Sequence, residues 1–299
     1  MASETAGAPM AGDIRSPSLR QRLSRLPLSF LVGAFLVALF VVVGFVSLFW
    51  TPYPEGALSV ANRLKAPLTD GYMFGTDRMG RDVLSQVMAG ARNSLFVSVI
   101  STLIALVPGV LLGLAAASAR GLPQILLSRV ADVGVALPGV LVALVVATAI
   151  GAGNLASIIA IVVWFVPLVA RVTIGPARQI LAREFVEASY SYGRGRWFVL
   201  FRHVLPNIGP LIIVQGSVMF ASAILIEASL SYLGVGAQRP TPSWGRLLNE
   251  ALPLIDKAPS LMIFPGAAIM ISVLGFNLLG DGLRTMLDPQ QQSGSARIA

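Results

Sequence analysis

The chain of 299 residues is 55% hydrophobic and 12% charged, with a mean hydropathy of +0.77; soluble domains carry about 25% charged residues, so a soluble enzyme is excluded. Its 22 Lys+Arg against 14 Asp+Glu give a net charge of +8, nearly all from arginine, with Lys65 and Lys257 the only lysines. The absence of cysteine excludes disulfides and thiolate sites, and one histidine, His203, excludes a site built from several imidazoles.

Residues 1–27, with Arg15, Arg20, Arg22 and Arg25, read as a cytoplasmic tail. A hydrocarbon core of roughly 30 Å needs about 20 apolar residues per helix. The first such run extends from Leu26 to Pro54 and is densest at Phe30 to Trp50. It exceeds a signal-peptide core and lacks an A-x-A cleavage site, so it predicts an uncleaved helix over 28–50, with Trp50 and Tyr53 at the interfacial belt. Residues 51–93 follow as an external segment. A second helix is expected between Arg92 and Arg120, where Gly109 and Gly113 form a small-xxx-small pair suited to close helix approach. The apolar run from Asp132 to Arg171 is too long for one crossing and divides at Gly151–Asn154. Asp132, three residues after Arg129, is expected to pair with it. A fifth helix starts at Pro206, a residue suited to a first turn, and runs through Glu227 to about Ser231. The sixth covers Ala258 to Gly280, within a core over 94–289, and a tail over 290–299 ends the chain. Met219, Met262 and Met270 read as apolar filling. The fold class is therefore all-α: a polytopic membrane protein of six transmembrane helices.

Arginine asymmetry sets the orientation. With the N-terminus inside, 14 of the 22 basic residues fall on cytoplasmic segments, six of them between Arg171 and Arg202. Both termini are then cytoplasmic.

The loop over 178–206 is much longer than helix connections need. Glu184–Tyr192 has helical character, with Phe185, Ala188 and Tyr192 on one face, and Gly193 is a natural stop. A second amphipathic stretch, Trp197–His203, groups Trp197, Leu200 and Phe201. Two short amphipathic helices in a basic loop need a partner, either a protein or the membrane surface.

The residues here resemble a family. Glu187-Ala188-Ser189, then Gly193, then Leu205-Pro206, is similar to the E-A-A-x3-G-x9-I-x-L-P loop of bacterial ABC-importer membrane subunits. Ser189 stands in place of the second alanine and His203 in place of the isoleucine. Phe201-Arg-His-Val-Leu-Pro-Asn207 resembles the peptide-importer branch. So do Phe74-Gly-Thr-Asp-Arg-Met-Gly-Arg-Asp-Val-Leu-Ser85 and the block from Glu227-Ala-Ser-Leu-Ser-Tyr-Leu-Gly234 to Pro240-Thr-Pro-Ser-Trp-Gly245. The resemblance runs from about residue 28 to 289 and is closest to the permease of the pair that has one helix before a five-helix core.

That resemblance implies a type I importer permease fold in which Glu187, Ala188, Ser189, Gly193, Leu205 and Pro206 form the coupling loop that docks on a cytoplasmic ATPase. It implies four kinds of partner: a homologous permease, two ATPase subunits or domains, an external substrate-binding protein and the bilayer, with no nucleic acid. The cargo would be di- or oligopeptides or a related molecule such as glutathione, a nickel chelate or haem. No Walker A loop is present, since neither lysine follows a glycine, so ATP and Mg would be bound by partner subunits. No catalytic, cofactor or metal site is expected in this chain. Asp77, Arg78, Arg81 and Asp82 are candidates for docking the binding protein, or Asp77, Arg81 and Asp82 pair among themselves to fix the entry to the second helix. Glu227, a carboxylate well inside a span, either lines the translocation path or packs through Ser231 or a neighbouring helix. The alternative function is a stand-alone secondary transporter or channel, which calls for more intramembrane charges. An intramembrane hydrolase lacks G-x-S-x-G and a histidine within the spans.

Overall fold

The computed structural model describes residues 26–287, and the calls on Arg15, Arg20, Arg22, Arg25 and the tail 290–299 lie outside them. Among the described residues, helices α1 (Leu28–Val46), α2 (Val83–Ser118), α3 (Leu122–Ala136), α4 (Gly139–Ile150), α5 (Asn154–Leu181), α6 (Glu184–Ser191), α7 (Arg196–Val199), α8 (Leu205–Tyr232), α9 (Trp244–Ala251) and α10 (Ser260–Leu287) follow in order.

The first crossing is a helix because Leu28–Val46 carries no charge and must satisfy its own backbone in lipid. Glycine lets it lie tight on α10: a Cβ at Gly33 would strike the Leu279 backbone, and one at Gly282 would come within 2.5 Å of Phe30. α2 begins at Val83, eleven residues before the expected core boundary, because Asp82 caps it. The Asp82 carboxylate accepts from Ser85 N–H at 2.7 Å and from Ser85 Oγ at 2.6 Å. Gly109 and Gly113 pack where expected, against α5. A Cβ at Gly109 would sit 2.6 Å from Val169 Cβ, and one at Gly113 2.8 Å from the Ala170 carbonyl.

Two expectations need correction. The division at Gly151–Asn154 is present, but the first of the two expected helices is itself broken: α3 and α4 meet at 91° across Leu137–Pro138. Proline cannot donate an N–H, and it drives the preceding residue out of the helical region, leaving Leu137 at φ −81°, ψ 131°. Among the described residues, five helices are long and apolar enough to cross a membrane, and six crossings result when the bent pair counts as one. Trp197–His203 is likewise not a separate helix. It runs through a π-turn at Leu200–Val204 into α8, making one helix from Arg196 to Tyr232. The Leu205 N–H reaches back five residues to the Leu200 carbonyl, a wider turn that accommodates the missing N–H of Pro206.

The main core lies between α2, α5 and α8, where Val97, Leu114, Ile161, Phe165, Val169, Met219 and Leu230 are buried. Phe35, Val42, Phe45, Val133, Leu141 and Val145 are exposed on α1, α3 and α4. This apolar exterior suits lipid rather than water. Asp132 pairs with Arg129 at 4.0 Å, as expected, and more closely with Arg171, at 3.1 Å. The ion pair thus joins α3 to α5.

One end of the bundle carries α6, α7 and the start of α8. The other carries the segment 51–82, the turn at Gly151–Gly153 and α9. Residues 51–82 are folded rather than loose: Tyr53 and Tyr72 stack at 4.7 Å, and Gly80, at φ +75°, lies where any Cβ would strike the Ser59 carbonyl.

Candidate functional site

Three groups of residues carry the candidate chemistry. At the end bearing α6, the helix points Val186 and Ser189 inward, Val186 joining Val199, Leu200 and Val204 in the core. Glu187 and Ala188 face solvent. Gly193 terminates the helix at φ +75° with open space where a side chain would stand. Phe185, Tyr190, Tyr192, Trp197 and Phe201 remain exposed, and Trp197 stacks on Phe201 at 6.0 Å. Leu200, expected beside them, is buried instead. The result is an aromatic outer surface fixed on a buried aliphatic base. Leu205 and Pro206 open α8 behind it.

The two residues that depart from the loop motif meet each other. Ser189 Oγ lies 3.4 Å from His203 Nε2, and Phe185 and Phe198 present their rings at 5.9 and 5.7 Å from the imidazole. Arg196, which sequence reasoning did not single out, clamps this end to α2. Its Nη2 donates to Ser118 Oγ at 2.7 Å and to the Ala115 carbonyl at 3.2 Å, satisfying an acceptor at the helix C-terminus.

Deep between the helices, Glu227 is fully buried. Its carboxylate accepts from Ser231 Oγ at 2.8 Å on its own helix and from Ser94 Oγ at 2.9 Å on α2. Asn93 Nδ2 approaches at 3.5 Å, and the Asn93 amide oxygen accepts from Asn154 on α5 at 2.6 Å. Ser231 Oγ accepts the Ala237 N–H at 3.0 Å. The carboxylate thus ties α2, α5 and α8 to the turn after α8, and in this conformation it packs between helices with no exposed surface. Asn93 and Ser94, adjacent polar residues in an apolar helix, were the legible signal of this network.

At the opposite end, the structure directs Asp77, Arg81 and Asp82 inward. Asp77 accepts from the Met79 and Arg81 N–H groups at 2.7 and 2.9 Å and from Arg81 Nε at 2.7 Å. Arg81 Nη2 continues to Glu250 Oε2 at 2.8 Å. Glu250 Oε1 also receives Arg239 at 2.8 Å and Arg246 at 3.1 Å. Burial pushes the Glu250 carboxyl up, but the Arg239 hydrogen bond and the charges of Arg81 and Arg246 outweigh it and hold the group below the usual carboxylate range. Of the four docking candidates, only Arg78 is exposed, and it makes no ion pair among the described residues. Glu250 went unnoticed in the sequence, although its spacing of four from Arg246 on one helix was readable. Trp244 locks the same end. Its Nε1 donates to the Val87 carbonyl at 2.9 Å, its ring lies 5.2 Å from Phe40, and a Cβ at Gly90 would come within 2.7 Å of it.

Residues 109–293 match the family described as binding-protein-dependent transport system inner membrane component. The glutathione transport system permease protein of Pectobacterium atrosepticum is 36% identical over 249 residues, 82% of this chain and 83% of that one. The di/tripeptide transport system permease protein of Pseudomonas aeruginosa is 40% identical over 224 residues, 75% of this chain and 74% of that one. The dipeptide transport system permease protein of Alkalihalophilus pseudofirmus is 37% identical over 233 residues, 78% and 76% of the two chains. Among solved structures, the inward-facing MetNI methionine ABC transporter superposes with a TM-score of 0.58 at 16% identity, covering 68% of this chain and 96% of that one. That likeness concerns the fold.

Proposed function

The chain belongs to the binding-protein-dependent transport system inner membrane components, as a permease subunit of the peptide ABC-importer type, and from this premise we propose how it works. It forms a translocation path with a homologous permease and is driven by two cytoplasmic ATPase subunits or domains that bind ATP and Mg. An external binding protein delivers di- or oligopeptides or a related compound such as glutathione. It sits in a bacterial inner membrane with both termini cytoplasmic.

The observation that carries this reading is the join between the aromatic loop and the spanning helix. An ATPase that grips Phe185, Tyr192 and Trp197 grips a surface rooted directly in α8 through Val199, Leu200 and Val204. Gly193 ends α6 without adding bulk to that surface. Glu187, exposed beside it, supplies a carboxylate for polar contact, and Ala188 a small residue for close approach.

Co-purification tests the proposal. The chain, expressed with its permease and ATPase partners, should elute as one complex whose ATP hydrolysis rises with loaded binding protein. Uptake of the same cargo by the purified chain alone would overturn it.

A further inference from the structure

The positive charge left over at the outer end has a cavity beside it. In the ion network, Arg81, Arg239 and Arg246 face two carboxylates, Asp77 and Glu250, so one positive charge is uncompensated. Next to it, Arg92 and Glu55 pair at 3.1 Å and cancel. Between the two groups lies a cavity of about 510 Å³ lined by Glu55, Arg81, Arg92, Arg239 and Thr241. Arg81 is nearly buried, whereas the Arg239 side chain is 50% exposed. Arg239 meets Glu250 through Nε and Nη2, and no acceptor among the described residues meets its Nη1.

We propose that this cavity is a carboxylate-binding socket that receives an Asp or Glu side chain of the external binding protein, with Arg239 the principal guanidinium. The inference rests on the importer reading above and moves the docking contact away from Asp77 and Asp82, whose charges are consumed inside the chain. A guanidinium presents a planar fork that matches a carboxylate. The single Glu250 carboxylate, shared among three arginines, leaves that fork unsaturated. The walls come from the outer segment and the turn at residues 239–242, and only Arg92 comes from a spanning helix. The occupant therefore enters from outside the membrane.

The test uses the whole importer in lipid nanodiscs, titrated with purified binding protein at low and at high salt. Arg239→Glu should weaken association at least about tenfold at low salt. Arg239→Gln should give a smaller loss and a flatter salt dependence, and Arg239→Lys should keep most of the affinity. A photoreactive amino acid at Thr241 should cross-link to an acidic segment of the binding protein, and this arm decides the matter even where Arg239→Glu fails to assemble. Unchanged affinity in Arg239→Glu, or no cross-link from Thr241, overturns the socket. So does an Arg239 effect confined to uptake of free-acid peptides and absent for their amides, which would assign the site to cargo. A wild-type complex that binds no binding protein overturns the importer reading itself, an outcome distinct from the other three.

Discussion

Ser189 and His203, fourteen residues apart, face each other at 3.4 Å across the loop between α5 and α8. They are the two positions at which the loop differs from the motif it resembles, and in this chain each supplies the other's contact. A nearly buried hydroxyl needs a partner, and the imidazole supplies one. Ser189→Ala and His203→Ile should each lower the complex's thermal stability. The double variant should recover part of the loss, with a coupling of about 0.5–1.5 kcal/mol in a double-mutant cycle. Strict additivity would show that the contact carries no energy.

Variants at Gly193 and Glu187 test docking apart from insertion. Gly193→Asp places a charged side chain in the open space beside a left-handed turn at φ +75°, and Glu187→Arg reverses an exposed charge. Both variants should insert and fold normally, yet lose uptake and the stimulation of ATP hydrolysis by loaded binding protein. Normal uptake in either would remove the loop from the coupling role.

Glu227→Ala should destabilise the chain by about 1–3 kcal/mol for each hydroxyl left unpaired, read as a lower melting temperature in nanodiscs. Glu227→Gln preserves shape and hydrogen bonding to Ser94 and Ser231. It should retain most of both stability and uptake. A Gln variant with normal stability and no uptake would assign the carboxylate to the translocation path instead.

The Glu250 network should weaken in acid. Its carboxyl is held below the ordinary value of about 4.3 in the folded chain. The ionised group therefore contributes stability that is complete above that value and is lost as pH falls through the lower, folded one. The stability difference between wild type and Glu250→Gln should stay level near neutrality and shrink below about pH 4. A difference that grows on acidification would contradict the assignment.

A chain without cysteine is a clean background for topology. Tyr190→Cys should react with an impermeant maleimide only after the cells are opened, whereas a cysteine at Leu58, exposed at the other end, should react in intact cells. The reverse pattern would invert the orientation.

The helices were legible because lipid demands long uncharged runs, and the family because three motifs stand far apart in the chain. Pairings across space were not. Asp132 has Arg129 nearby in sequence, but Arg171 approaches more closely because α3 packs on α5, which no local rule reports. Pro138 was a readable break, hidden because the apolar residues continue on both sides of it. The motif residues Asp77, Arg81 and Trp244 were visible as a signature. Their work, joining the outer segment to α2 and α9, appeared only with Glu250 and Val87 in place.

The unbroken helix from Arg196 to Tyr232 has 37 residues, so it is about 55 Å long, longer than a bilayer of roughly 40–45 Å including headgroups. About two turns therefore stand clear of the lipid as a handle. A push on that handle acts on the same helix that carries Glu227 near its other end, with the π-turn at Leu200–Val204 lying between the two.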